Sequence, residues 1–125
     1  MIIFKGEIKY HEPLVSATVD GSGNLKLSSN STHRFIVDTG FAGDIAVPYA
    51  MLPKLNLKFL GYDKFVLATN KPIVLPVFEG WVKIKRRRVK MEIIPGDQLL
   101  GMRFLEKIGS KLIVDFGKAE VKLLG

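Results

Sequence analysis

Phe35-Ile36-Val37-Asp38-Thr39-Gly40 constrains this chain more than any other stretch. Three bulky apolar residues read as a buried strand, and the strand ends on a carboxylate. An ionised Asp at the end of a buried strand is costly unless something compensates for its lost hydration. A chain that keeps such a carboxylate, followed by a small hydroxyl residue and a glycine, points to catalysis. Thr39 can lock the loop through its hydroxyl. Gly40 permits a backbone conformation that turns its N–H toward the carboxylate.

The rest of the chain reads as strands punctuated by turns. Ile2 to Ile8 is an opening strand. Leu14 to Val19 and Leu25 to Leu27 flank the glycine-rich turn Asp20-Gly21-Ser22-Gly23-Asn24, which predicts a hairpin. Arg34 to Val37 and Ile45 to Val47 are short buried strands. Pro48 to Leu52 predicts one or two helical turns, opened by proline and stopped at or soon after Pro53.

Phe65 to Ala68 and Ile73 to Phe78 bracket Thr69-Asn70-Lys71-Pro72 as a second hairpin. Trp81 to Lys85 and Val89 to Ile94 bracket the arginines as a third. Leu100 to Ile108 predicts a helix with Gly109 at its C-cap. Leu112 to Phe116 and Glu120 to Leu123 are the closing strands. Many short strands at this turn spacing predict a mainly β domain, a small barrel or sandwich with two short helices.

At 125 residues with 47% apolar content, the chain suits a single domain spanning 1–125. No segment approaches the roughly 18–20 uninterrupted apolar residues that a membrane helix needs. The N-terminal run Met1-Ile2-Ile3-Phe4-Lys5-Gly6-Glu7 meets charge too early for a signal peptide. A soluble cytoplasmic protein is the expectation. Cysteine is absent, so disulfide and thiolate chemistry are excluded. His11 and His33 lack carboxylate companions at ligand spacing, so neither a metal nor another cofactor is expected.

The net charge of +7 concentrates in Lys83-Ile84-Lys85-Arg86-Arg87-Arg88-Val89-Lys90, next to Trp81. Such a hairpin can grip phosphates and stack a base. A charged hairpin tip is more ordinarily a solvated turn, and basic edge strands deter stray pairing. Nucleic acid is therefore a secondary expectation. Asp115-Phe116-Gly117 copies a kinase tripeptide without the accompanying loops, and reads as a strand end and turn. Gly21-Ser22-Gly23 lacks the following Lys-Thr/Ser of a phosphate cradle.

About sixty residues after Asp38 comes Gln98-Leu99-Leu100-Gly101-Met102-Arg103-Phe104-Leu105, two apolar residues and a glycine before an apolar helix. This pair of motifs, with a hairpin at Ala68–Pro72 between them, resembles the retropepsin-like (retroviral-type) aspartic proteases over roughly residues 30 to 117. The resemblance implies a small closed β-barrel and an endopeptidase that holds a water between two aspartates. It makes Asp38 the catalytic carboxylate, Thr39 the hydroxyl that interlocks with its symmetry mate, and Gly40 the loop glycine. It also makes the hairpin of Ala68, Thr69, Asn70 and Lys71 a flap over bound peptide, and Gly101 the glycine supporting the site. Substrate contacts are expected from Phe41, Ala42, Asp44, Ala68, Thr69, Asn70 and Gly101. Asp44 either orients the loop and binds substrate main chain or simply solvates a turn.

The chemistry requires two carboxylates close enough to share a proton, since like charges about 3 Å apart do not both ionise easily. The sequence holds one D-T-G and no D-S-G. The expectation is therefore a homodimer in which Asp38 of each subunit meets on the two-fold axis, acting on a peptide or protein substrate. Phe41 stands where the family most often has Ala. Its ring either fills a substrate subsite or packs elsewhere and enlarges the dimer contact. The flap hairpin lacks the usual glycines and carries Pro72, which implies a stiffer lid. The alternative is a catalytically weak dimeric peptide- or nucleic-acid-binding module on the same fold.

Overall fold

Period-two burial and short, fully apolar runs set the architecture. In the computed structural model, which describes residues 1–28, 33–66 and 69–125, the strands are β1 (Ile2–Lys9), β2 (Glu12–Val19), β3 (Leu25–Leu27), β4 (His33–Val37), β5 (Ile45–Val47), β6 (Lys58–Val66), β7 (Pro72–Ile84), β8 (Arg87–Pro95), β9 (Leu99–Leu100), β10 (Lys111–Asp115) and β11 (Glu120–Leu124). A 3₁₀ helix covers Tyr49–Lys54, and the α-helix α1 covers Met102–Ile108. No helix among the described residues is long and apolar enough to cross a membrane.

The sheet closes on itself. β2 bonds to β3 along one edge and to β4 along the other, and the ring β2-β3-β7-β8-β5-β9-β4 is a seven-stranded barrel. Closure removes the exposed edges of those strands. β1, β11 and β10 extend from β2 as a flange outside the ring. Phe35, Phe104, Leu25, Ile45, Met91, Ile93 and Leu100 fill the interior, each fully buried. The mainly β expectation thus resolves to a closed barrel.

Three boundaries differ from the sequence reading. β7 is one continuous strand through both Ile73–Phe78 and Trp81–Ile84. Gly80 does not break it. A Cβ at Gly80 would lie 2.7 Å from Leu57 Cδ2 and 2.9 Å from Ile93 Cδ1, so glycine there serves close packing. β6 begins at Lys58, well before Phe65, and pairs with β7 through a bulge at Phe59/Gly61. The helix starts at Met102, because Leu99 and Leu100 are drawn into the barrel ladder instead. Gly109 is its C-cap in extended conformation, with Leu123 packed where a Cβ would be.

Candidate active site

The Asp38 loop owes its position to β9. This short strand lies between β4 and β5, parallel to the first (Ile36↔Leu99, Val37↔Leu100) and antiparallel to the second (Ile45↔Leu100, Ala46↔Leu99). The Ile36 N–H donates to the Gln98 carbonyl and the Asp38 N–H to the Leu100 carbonyl, each at 2.9 Å. The two stems of the loop spanning 38–44 therefore straddle a strand that arrives some sixty residues later.

The helix secures the loop from behind. The first N–H groups of a helix have no partners within it, and Gly101, the N-cap, brings no side-chain cap. Loop carbonyls fill that need. Gly101 N–H donates to Asp44 O at 2.8 Å, Met102 N–H to Phe41 O at 2.8 Å and Arg103 N–H to Gly43 O at 3.3 Å. A Cβ at Gly101 would sit 2.1 Å from the Gly43 carbonyl oxygen and 2.8 Å from the Phe41 ring. Gly101 is buried beneath the loop. It supports the site and has no surface to offer a substrate, which corrects its expected role as a contact residue.

Asp38 is half-buried at the loop's start. Its Oδ1 accepts the Gly40 N–H at 2.9 Å, and its Oδ2 has no hydrogen-bond partner among the described residues. The Gly40 N–H is thus turned toward the carboxylate as expected, with a backbone φ outside the left-handed region. Thr39 is exposed and borders a groove with Met102, Leu105 and Leu112. Ala42 is exposed beside them in the loop.

Phe41 turns inward. Its ring packs over Gly43, where a Cβ would lie 2.7 Å from ring carbon Cζ, and over Gly101. It also joins an apolar cluster of Ala46, Val77 and Ile94 with Phe65, Leu75 and Leu99. Phe65 and Leu75 belong to the tip half of the β6–β7 hairpin, so the hairpin and Phe41 of the Asp38 loop pack against one shared cluster. The hairpin reaches beyond the barrel and exposes Val66, Ile73 and Val74. Val66 pairs with Pro72, which places Thr69 and Asn70 at its exposed tip, Asn70 at φ 60°. Ala68 lies outside the described residues.

Asp44 is enclosed, its side chain 0% exposed. Its Oδ2 accepts from Lys107 Nζ at 2.6 Å and from the Glu92 N–H at 2.8 Å. Its Oδ1 has no hydrogen-bond partner, with Arg103 Nε 3.9 Å away. A carboxylate sealed in this way cannot touch substrate main chain. Of the roles expected for Asp44, orienting the loop fits its surroundings, and both substrate binding and turn solvation do not. The cations Lys107 and Arg103 escaped the sequence reading. Their signal was the spacing of four on α1, which puts both on one helix face.

The basic hairpin is largely occupied with its own chain. Arg88 and Lys90 stand over the Trp81 ring at 5.0 and 5.6 Å, and Lys90 pairs with Glu79 at 2.9 Å. Arg87 donates to the Ile108 carbonyl at 3.4 Å, at the C-terminus of α1. Lys83 pairs with Asp20 at 2.8 Å. The Lys83 hydrogen bond, helped by the Asn24 N–H, pulls the Asp20 carboxyl down to about 2. Lys85 and Arg86 form the exposed turn. Among the described residues, no group of three or more His, Asp or Glu side chains is placed to hold a metal ion.

No protein-family model matches this chain, and neither a curated protein nor a solved structure is detectably similar to it.

Proposed function

We propose that the chain is one subunit of a homodimeric, retropepsin-like aspartic endopeptidase. The observation that carries this reading is the presentation of Asp38. A β-ladder on one side and helix N–H groups behind hold its loop rigid. The Gly40 N–H fixes one carboxylate oxygen and leaves the other for chemistry. A rigid frame of this kind is what a positioned catalytic group requires. The long β6–β7 hairpin, whose Phe65 and Leu75 pack on the same cluster as Phe41, supplies a cover for an extended peptide.

The chemistry needs a second carboxylate, and the two-fold partner brings its own Asp38. The pair shares one proton. The ionised member takes a proton from the water as it attacks the peptide carbonyl, and the protonated member donates to the carbonyl oxygen. The tetrahedral intermediate then collapses as the leaving amine is protonated, and the C–N bond breaks.

The test is cleavage of a peptide library between about pH 3 and 7, where a half-protonated pair operates. Asp38→Asn is expected to abolish cleavage while sedimentation stays that of a dimer. Undiminished cleavage by the variant overturns the reading. A second reading, a dimeric binding module without turnover, has the exposed cations Lys85 and Arg86 at the hairpin turn in its favour. It requires nucleic-acid binding that falls steeply with salt and vanishes when Arg86, Arg87 and Arg88 become Ser.

A further inference from the structure

A groove of about 210 Å³ opens immediately beside the Asp38 loop, lined by Thr39, Met102, Leu105, Glu106, Lys111 and Leu112 among others. Its floor is apolar. Met102 is 41% exposed in the single chain, unusual for a side chain at the start of a helix that otherwise buries Phe104, Leu105 and Ile108. Its rim carries one acid and one base. Glu106 and Lys111 are both exposed, and neither takes part in an ion pair among the described residues. The neighbouring cations of α1, Arg103 and Lys107, are by contrast committed to Asp44 and Glu92.

A two-fold interface matches one patch to itself, so that residue i of one subunit meets residue j of the other and the reverse. A patch with an apolar floor, an unpaired acid and an unpaired base satisfies that rule with its own copy. We propose that a second copy of this chain seats on this groove, with Met102 and Leu112 at the centre of the contact. Glu106 of each subunit pairs with Lys111 of the partner subunit at the rim. The inference rests on the two-fold enzyme read above and deepens it by assigning the docking surface. Two further features favour the same occupant. Thr39 lines the groove and directly follows Asp38, so docking here draws the two Asp38 loops together. β10 ends the flange with an outer edge unpaired among the described residues, and it begins at Lys111. Its backbone groups are open to pairing.

Charge reversal tests the contact. Glu106→Lys and Lys111→Glu each place like charges together twice per interface. Each is expected to weaken dimerisation on the order of 100-fold by analytical ultracentrifugation. The double variant, Glu106→Lys with Lys111→Glu, restores opposite charges and is expected to return close to wild-type assembly. Far-ultraviolet circular dichroism of all three variants checks that the barrel is intact, since both residues are exposed. A monomeric wild type, singles that dimerise as well as wild type, or a double variant no better than the singles overturns the proposal. Assembly is read without reference to cleavage. Charge-dependent dimers whose Asp38→Asn variant still cleaves would keep this interface and sink the aspartic mechanism. Charge-insensitive dimers silenced by Asp38→Asn would do the opposite.

Discussion

Lys107 Nζ donates a 2.6 Å hydrogen bond to Asp44 Oδ2, joining helix α1 to the last residue of the Asp38 loop. The pair bridges 63 positions of sequence, and the Asp44 side chain is wholly enclosed. Removing one partner of a buried ion pair leaves an uncompensated charge, which costs more than the pair itself contributes. Lys107→Met is therefore expected to destabilise the fold by about 3 kcal/mol. Asp44→Asn keeps an oxygen for the Glu92 N–H and is expected to cost less, about 1–2 kcal/mol. Urea unfolding of both variants checks the order. Equal stability of Lys107→Met and wild type would show that the contact is not structural.

Gly101→Ala is the substitution expected to damage the site most for its size. The added methyl meets the Gly43 carbonyl oxygen and the Phe41 carbonyl oxygen, both backbone atoms that cannot swing aside. Either β9 leaves the ladder or the Asp38 loop shifts. A cost of about 3 kcal/mol or more is expected, with loss of cleavage in whatever fraction folds. Gly21→Ala provides the control. Nothing lies within 4 Å of its Cβ position, and its stability is expected to stay within about 0.5 kcal/mol of wild type. Thermal denaturation of the two separates crowding from a general cost of replacing glycine.

What was legible in the sequence followed from local pattern. Phe35-Ile36-Val37 read as a buried strand ending on Asp38; the strand does end there, with Phe35 and Val37 buried and Ile36 half-buried. Turn residues at 20–24 and 69–72 marked hairpins correctly. What could not be read depended on distant partners. Leu99-Leu100 continue the apolar run of α1, and only the gap between β4 and β5 recruits them as a strand. Gly80 looked like a break because glycine's usual role in turns is stronger than its role under Leu57 and Ile93. The role of Asp44 stayed open between loop orientation, substrate binding and turn solvation because the cations that enclose it arrive on a helix much later. The early half of β6 exposes nearly every side chain and therefore shows no alternation.

Asp20 contributes to how the barrel responds to acid. Its carboxyl is held at about 2, below its ordinary 3.8, first by the Lys83 hydrogen bond and then by the Asn24 N–H. A depressed carboxyl binds its proton more weakly in the folded chain than in the unfolded one. The stabilisation is thus complete above about 3.8 and is lost as pH falls toward about 2. Asp20→Asn is expected to remove that part of the acid limb while leaving the curve above pH 5 parallel to wild type. Melting temperatures measured across the acid range decide it. Curves of the same slope below pH 4 would assign the acid sensitivity to other groups.

Phe41→Ala distinguishes the two places its ring was expected to occupy. A ring filling a substrate subsite would, on removal, enlarge the pocket and leave stability alone. The observed ring instead covers Gly43 and Gly101 and joins the cluster of Ala46, Val77 and Ile94, on which Phe65 and Leu75 of the hairpin also pack. Its loss removes packing from the Asp38 loop and from the cluster that loop shares with the hairpin. The ring is half-buried, so the expected cost is about 2 kcal/mol, below that of a fully buried Phe. Faster amide exchange is expected in β6 and the first half of β7, with β4 and β9 kept in place by their ladder. On the proposed endopeptidase reading, peptide KM is expected to rise as the hairpin loosens. A variant with wild-type stability and a preference for larger substrate side chains would return Phe41 to the subsite.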